Sequence, residues 1–250
     1  MYRGRRIAAV IQARIGSTRL PGKVLMPLCD RPVLWHVIER LEATTVIDQI
    51  IVATSTSAAD DSIVRFVDEL DDPKISYVRG PEDDVLERFY IAICRHNPDV
   101  VVRVTGDSPL LSIRHLHTLV TRLVDGDLDG VDAHHHNTGL TLGMGTEAYH
   151  HQALVDAHLL AARPTEREHV SLFIKERPYA FRVEYPEPPP ALCTDFRLTL
   201  DYPEDYYLLT RIYDALYEPG GVIDCLETVG WLRRHPQLPG INSHCVQRSA

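Results

Sequence analysis

No apolar run in this chain approaches the roughly 20 residues that a helix needs to cross a bilayer, so no membrane partner is expected. Arg5-Arg6 ahead of the apolar residues 7–11 imitates the start of an export leader. The run ends at Gln12, however, and no small-residue cleavage site follows. Paired cysteines are missing too. Cys29, Cys94, Cys193, Cys225 and Cys245 are odd in number, widely spaced and never C-x-x-C, which excludes a disulfide framework and a zinc ribbon. Nor is there an excess of basic charge. Lys and Arg number 26 against 35 Asp and Glu, a net −9, without the positive footprint of a nucleic-acid binder. Internal repeats and low-complexity linkers are also lacking. The expectation is a cytoplasmic protein of one domain, residues 1–250, whose partners are small molecules and not nucleic acid.

What is present is an alternation of short apolar runs with segments of helical period, the pattern of βαβ units around a largely parallel sheet. "IAAVIQA" reads as a first strand, and "PVLWHVIERLEA" places Leu34, Val37, Ile38 and Leu41 on one helical face. "QIIVATS", "ISYVRG" and "DVVVRVTGDSP" read as further strands. "DDSIVRFVDEL", with an acidic start that suits the helix dipole, reads as a helix, as do "EDDVLERFYIAICRH" and "SIRHLHTLVTRLV". Across residues 125–190 the pattern weakens, with a helix predicted over 165–176. "FRLTLDYPEDYYLLTRIYDALY" then returns to strand, turn and helix, and residues 220–250 add a last helix and a tail.

One segment runs against the overall charge. Six basic residues and no acidic one lie between Met1 and Lys23, and "IQARIGSTRLPGK" ends the first strand. Ligands of parallel α/β sheets bind beyond the carboxyl ends of the strands. A glycine-containing loop there can aim N–H groups, Arg14, Arg19 and Lys23 at phosphates, against the alternative of a solvated basic turn. The Walker A loop, G-x-x-x-x-G-K-[ST], does not fit: five residues separate Gly16 from Gly22, and Val24 follows Lys23. "GMGTEA" (residues 143–148) mimics a dinucleotide fingerprint but follows no strand pattern. "DGDLDG", with Asp125, Asp127 and Asp129, mimics the Asp-x-Asp metal motif of glycosyltransferases but reads as a turn after a helix. Asp107 in "TGDSP" and Asp201 in "LTLDYPED" each follow a strand pattern, and two such carboxylates suit a magnesium ion. A helix cap or turn is the competing role for both.

"IQARIGSTRLPGKVLMPLCDRPVLWHVIERL" closely resembles the signature of the cytidylyltransferases that make CMP-activated acidic sugars. The branch named for spore coat polysaccharide biosynthesis protein F is the most similar. The likeness continues in order through "IIVATSTSAADDSIV", "VRGPEDDVLERFY", "VVRVTGDSPL", "EREHV" and "RLTLDYPEDY", about four-fifths of the chain. It implies a Rossmann-like α/β fold of the nucleotide-diphospho-sugar transferase type, a mostly parallel sheet flanked by helices with an acceptor and dimer lobe at 125–190. It implies a magnesium-dependent reaction in which an acceptor oxygen attacks the α-phosphate of CTP and pyrophosphate leaves.

The resemblance also assigns residues. Arg14, Ser17 and Lys23 match the phosphate loop, with Arg14, Lys23 and Asp107 as the catalytic set, and Arg19 either joins them or shapes the loop. Asp107 and Asp201 match the magnesium ligands. Gln12, Ala13, Ala53, Thr54 and Gly106 lie where the nucleotide would sit. Arg79, Gly80, Asp84 and Arg88 match a nucleotide-contacting loop and helix start, although Asp84 and Arg88 also have the spacing of an ordinary i,i+4 pair. Glu147, Arg167 and His169 match the acceptor pocket, for an acidic sugar or a phosphonate. A homodimer is expected by the same analogy. Here the chain departs from its branch: relatives carry Gly-x-Asp-x-Glu, and "GMGTE" puts Gly145 where the aspartate stands. The adjacent His134-His135-His136 read as a polar pocket wall or an exposed loop, since three neighbouring side chains do not easily chelate one ion.

Overall fold

The computed structural model describes residues 1–247 and, within them, all side chains but that of His135. The last three residues of the predicted C-terminal tail lie outside the described residues. In chain order the strands are β1 (Ile7–Gln12), β2 (Pro27–Leu28), β3 (Arg31–Pro32), β4 (Gln49–Ser55), β5 (Ile75–Gly80), β6 (Val100–Thr105), β7 (Gly130–Asp132), β8 (Glu147–His150) and β9 (Val183–Glu184). The helices are α1 (Val33–Glu42), α2 (Asp61–Glu69), α3 (Val85–His96), α4 (Ile113–Asp125), α5 (His135–Thr138), α6 (His151–Leu160), α7 (Pro164–Glu168), α8 (Leu172–Lys175), α9 (Pro203–Leu216) and α10 (Cys225–Arg234). Seven strands form one sheet in the order β5-β4-β1-β6-β8-β7-β9, and β2 and β3 form a separate hairpin. Pairs β5-β4, β4-β1 and β1-β6 are parallel, whereas β8 runs antiparallel to both β6 and β7. This is the α/β, mostly parallel architecture that the alternating pattern implied.

The apolar strands are buried on both faces because helices cover both. Ala9, Ile11, Ile50, Val52, Val102 and Val104 face a cluster that includes the apolar sides of α1, α4, α9 and α10. Ala8, Val10, Ile51, Ala53 and Val101 face the other way, toward α3, α6 and α8. The period of two within each strand thus divides one run of apolar residues between two cores. Leu34, Val37, Ile38 and Leu41 of α1 are all fully buried, as their spacing predicted.

Residues 125–190 supply β7, β8 and β9 to the same sheet. The helix expected over 165–176 is broken into α7 and α8, with His169 at φ −101°, ψ 53° between them. The break lets Val170 and Ser171 turn inward, where both are buried. The strand expected before Asp201 is reduced to a single bridge between Leu142 and Arg197. The chain leaves β1 to build β4 on one side and later places β6 on the other. The ends of β1 and β6 therefore flank a topological switch point, where open α/β sheets hold ligands.

Candidate active site

At that switch point β6 delivers Gly106 and Asp107. The Gly106 N–H donates to the Gln12 carbonyl at 3.0 Å. A Cβ at residue 106 would lie 3.1 Å from the Ala13 Cβ and 3.2 Å from the Gln12 oxygen, so glycine allows the two strand ends to touch. Asp201 arrives from the far end of the chain, tied down by the Leu200 N–H, which donates to the Asp107 carbonyl at 2.9 Å. The two carboxylates meet on the Lys23 ammonium, whose Nζ lies 2.5 Å from Asp107 Oδ2 and 2.8 Å from Asp201 Oδ1. Asp201 is further held by Arg19 at 2.6 Å and Arg197 at 2.8 Å. Arg197 in turn pairs with Asp205, which accepts the N–H groups of Asp201 and Tyr202 and so sets the start of α9.

Burial alone would lower the Lys23 pKa, but Asp107 and Asp201 outweigh it and raise it. For Asp107, burial pushes upward and the Lys23 ammonium pulls the carboxyl below its ordinary value. Lys23 and Asp107 thus hold each other in their charged forms. Neither aspartate caps a helix: Ser112 caps α4, and α9 begins after Tyr202. Two hard-oxygen ligands that already converge on one cation position are the donor set that magnesium accepts.

The loop between β1 and Lys23 is shaped by its own backbone and by Asp60. The Ser17 and Gly22 N–H groups both donate to the Ile15 carbonyl, and Gly22 sits at φ +74°, where glycine is strain-free. Ser17 Oγ accepts the Leu20 N–H at 3.3 Å, and Arg14 reaches Glu82 at 3.4 Å. Asp60, fully buried, accepts the Ile15 N–H at 2.7 Å, the Ser55 N–H at 3.0 Å, the Ser55 hydroxyl at 2.5 Å and the Thr54 hydroxyl at 3.1 Å. Burial opposes its charge, but these bonds prevail and its pKa is lowered. In the sequence, Asp60 counted only as part of the acidic start of α2; in space it is the pin between the end of β4 and the loop.

Beyond β4 and β5, Arg79 donates to the carbonyls of Ser55 and Ser57 and to Asp61. Ala53 accepts the Ala13 N–H through its carbonyl. Asp84 is the N-cap of α3, accepting the Glu87 N–H at 2.8 Å, and Arg167 donates to its carboxylate at 2.7 Å. Arg88 is different. It is 2 % exposed, its stem lies against Gly80, and its Nε and Nη1 have no hydrogen-bond partner among the described residues. Burial, reinforced by the Arg14 charge, lowers its pKa to about 10.

Across β6, β8 and β7, the register aligns Arg103, Glu147 and Asp132 in one row. Arg103 donates to Glu147 and, through Nε, to the Gln12 side chain at 3.1 Å, joining this row to the end of β1. Tyr149 donates to Glu147 at 2.7 Å. His134 Nδ1 lies 2.8 Å from Asp132 and 3.2 Å from Glu147, and Lys175 Nζ lies 3.3 Å from Asp132. Burial opposes the charge of Glu147, yet Lys175 and Arg103 hold its carboxyl well below the usual range. Asp132, His134 and Glu147 are close enough to hold a metal ion, but Lys175 and Arg103 already neutralise both carboxylates. His169 borders the row, and its pKa is lowered mainly by burial and further by Arg103 and Lys175. Arg167 lies instead on Asp84 and Glu87.

At Gly145 a Cβ would fall 2.3 Å from the Ala133 carbonyl and 3.0 Å from the His134 Cα, so the backbone that follows β7 fills the place of any side chain there. Arg103, Asp132 and Lys175 have no place assigned from the sequence, whereas His134 is expected there only as part of a polar pocket wall or an exposed loop. The visible signal was an arginine in the otherwise apolar "VVVRV".

A mostly parallel sheet flanked by helices, with converging charged groups at its carboxyl edge, defines a Rossmann-like protein of the nucleotidyltransferase class. Residues 8–214 match the family described as Cytidylyltransferase. The chain belongs to this family. It is 31 % identical over 236 residues to the spore coat polysaccharide biosynthesis protein SpsF of Bacillus subtilis, covering 92 % of this chain and 95 % of that one. It is 37 % identical over 248 residues to an uncharacterised protein of Methanocaldococcus jannaschii, covering 98 % and 97 % of the two chains. Among solved structures, a cytidylyltransferase from Leptospira borgpetersenii superposes with a TM-score of 0.86 at 25 % identity, covering 98 % of this chain and 100 % of that one. The fold is shared with a CMP-KDO synthetase complexed with CTP, TM-score 0.64 at 17 % identity, over 84 % of this chain and 99 % of that one.

Proposed function

We propose that this enzyme transfers CMP from CTP to an oxygen of a small acidic acceptor, a sugar acid or a phosphonate, with magnesium held by Asp107 and Asp201. The observation that carries the reading is the convergence of those two carboxylates on one cation position beside the basic loop. The relatives that make or bind cytidine nucleotides support the choice of CTP.

In the reaction the acceptor oxygen bonds to the α-phosphorus while the bond to the β-phosphate oxygen breaks. Its electron pair leaves with pyrophosphate, and the acceptor's proton is lost to solvent. Such a displacement asks for positioning and for cations near the leaving group. Arg14 in the loop and the unpartnered donors of Arg88 supply positive charge that suits an anionic ligand. Magnesium, when bound, supplies positive charge next to the triphosphate. Glu147 and its cationic neighbours form the polar wall on the acceptor side, and Ser17 contributes its hydroxyl to the loop.

The test is pyrophosphate release from a matrix of nucleoside triphosphates against eight- and nine-carbon sugar acids and phosphonates, with magnesium. Release that needs both CTP and an acceptor is expected, and D107N should lower kcat by about 100-fold or more. Turnover with UTP or ATP alone, or an undiminished D107N, would refute the assignment.

A further inference from the structure

Lys23 stands where a phosphate-loop lysine is not useful. Its Nζ faces two carboxylates, and the residue is only 8 % exposed. Among the described residues, Lys23 is the cation within 4.0 Å of Asp107, whereas Asp201 also has Arg19 and Arg197. A divalent ion that used the same two carboxylates would sit about 2.0–2.1 Å from their oxygens. The ammonium is 2.5 and 2.8 Å from those very oxygens. The two cations exclude each other.

We propose that Lys23 is an internal counter-ion that must be exchanged, so that the divalent metal enters only together with the triphosphate. The inference rests on the proposed CTP reading and adds an order of events to it. Metal alone would drive an ammonium out of a buried double ion pair with nothing to receive it, and such uncompensated charges are costly. A triphosphate changes that balance, because Lys23 follows Gly22 at the end of the basic loop and its long side chain can turn from the carboxylates to the phosphates. Asp107, freed of the ammonium, would then hold the metal, while Arg19 and Arg197 continue to hold Asp201. Lys23 has two seats, and the nucleotide decides between them by its differential affinity for the two arrangements.

The experiment uses Mn2+ as the probe. Free Mn2+ is counted by electron paramagnetic resonance, and water proton relaxation separates protein-bound Mn2+ from Mn2+·CTP in solution. Wild-type protein should bind Mn2+ tightly only when CTP is present. K23Q, which leaves the two carboxylates without the ammonium, should bind Mn2+ without nucleotide at least about tenfold more tightly than wild type, a 1.4 kcal/mol difference. Adding D107N to K23Q should abolish that gain. Wild-type protein that binds Mn2+ equally well with and without CTP would overturn the exchange, as would a folded K23Q with unchanged Mn2+ affinity. The wild-type comparison stands even if K23Q does not fold, which a thermal melt reveals. Calorimetry with CTP is run alongside. Failure of wild type to bind CTP would sink the nucleotide reading, while the K23Q result still judges the role of Lys23.

Discussion

Asp60→Ala tests whether one buried carboxylate pins the basic loop to the sheet. The change strands the backbone N–H groups of Ile15 and Ser55, which cannot rotate toward other acceptors, whereas the hydroxyls of Thr54 and Ser55 can. Each buried donor left without a partner costs about 1–3 kcal/mol. Some of that loss is offset because a buried charge is removed as well, so the net loss expected is about 3 kcal/mol, a large share of a stability of about 5–15 kcal/mol. Urea unfolding of wild type, D60A and D60N measures it as a shift of midpoint at constant slope. Asp60→Asn keeps the shape and one acceptor but turns a second N–H group toward donors, so it should fall between the other two.

The pH dependence gives an independent check. Asp60 is an acid whose pKa is lowered by folding, so its stabilisation is full above its ordinary value near 3.8 and is lost as pH falls through the folded value. D60A should therefore have a flatter acid limb than wild type. Hydrogen exchange at the Ile15 amide should speed up in D60A. A loss below about 1 kcal/mol with unchanged protection at Ile15 would show that the loop is held by something else.

Arg88→Met should leave stability unchanged or raise it by about 1 kcal/mol, because the apolar stem is kept and an incompletely bonded buried charge is removed. The same variant should weaken CTP binding at least about tenfold by calorimetry; a loss of stability with unchanged CTP affinity would reverse the argument. Gly145→Asp, which supplies the carboxylate expected from the family resemblance, should destabilise the fold by about 3 kcal/mol, since its Cβ would meet the Ala133 carbonyl. Differential scanning calorimetry should show this as a drop of about 6–12 °C. Glu166 accepts from Arg163, Arg177 and the Ala162 N–H, and although burial opposes it, its pKa is lowered to about 2. Its stabilisation is complete above about pH 4.5 and disappears as pH falls toward 2. The gap in stability between wild type and E166Q should close over that range.

Much of the framework was legible because it depends on short-range pattern. Apolar runs of strand length and the spacing of Leu34, Val37, Ile38 and Leu41 follow the two backbone periods, and burial confirms them. The segments that depart from their local pattern are those where tertiary packing overrides local preference. One predicted helix is split so that Val170 and Ser171 can turn inward, and the run before Asp201 forms one bridge because its neighbours are loops. Asp84 and Arg167, apart in sequence, were given separate roles, yet they hold each other.

The sequence by itself determined that charged groups of the right types would gather at one sheet edge: Arg14, Ser17 and Lys23 after β1, Asp107 after β6, Asp201 before α9. Strand direction carries the groups after β1 and β6 to the carboxyl edge, and the Leu200 N–H, bonded to the Asp107 carbonyl, brings Asp201 to them. Which charge meets which was decided only in three dimensions. Lys23 faces Asp107 and Asp201, Arg19 joins them, Asp60 turns back to the loop, and Asp132 with His134 lies beside Glu147. Ion pairs form between side chains that the packed backbone brings within a few ångströms, and no local period encodes that distance.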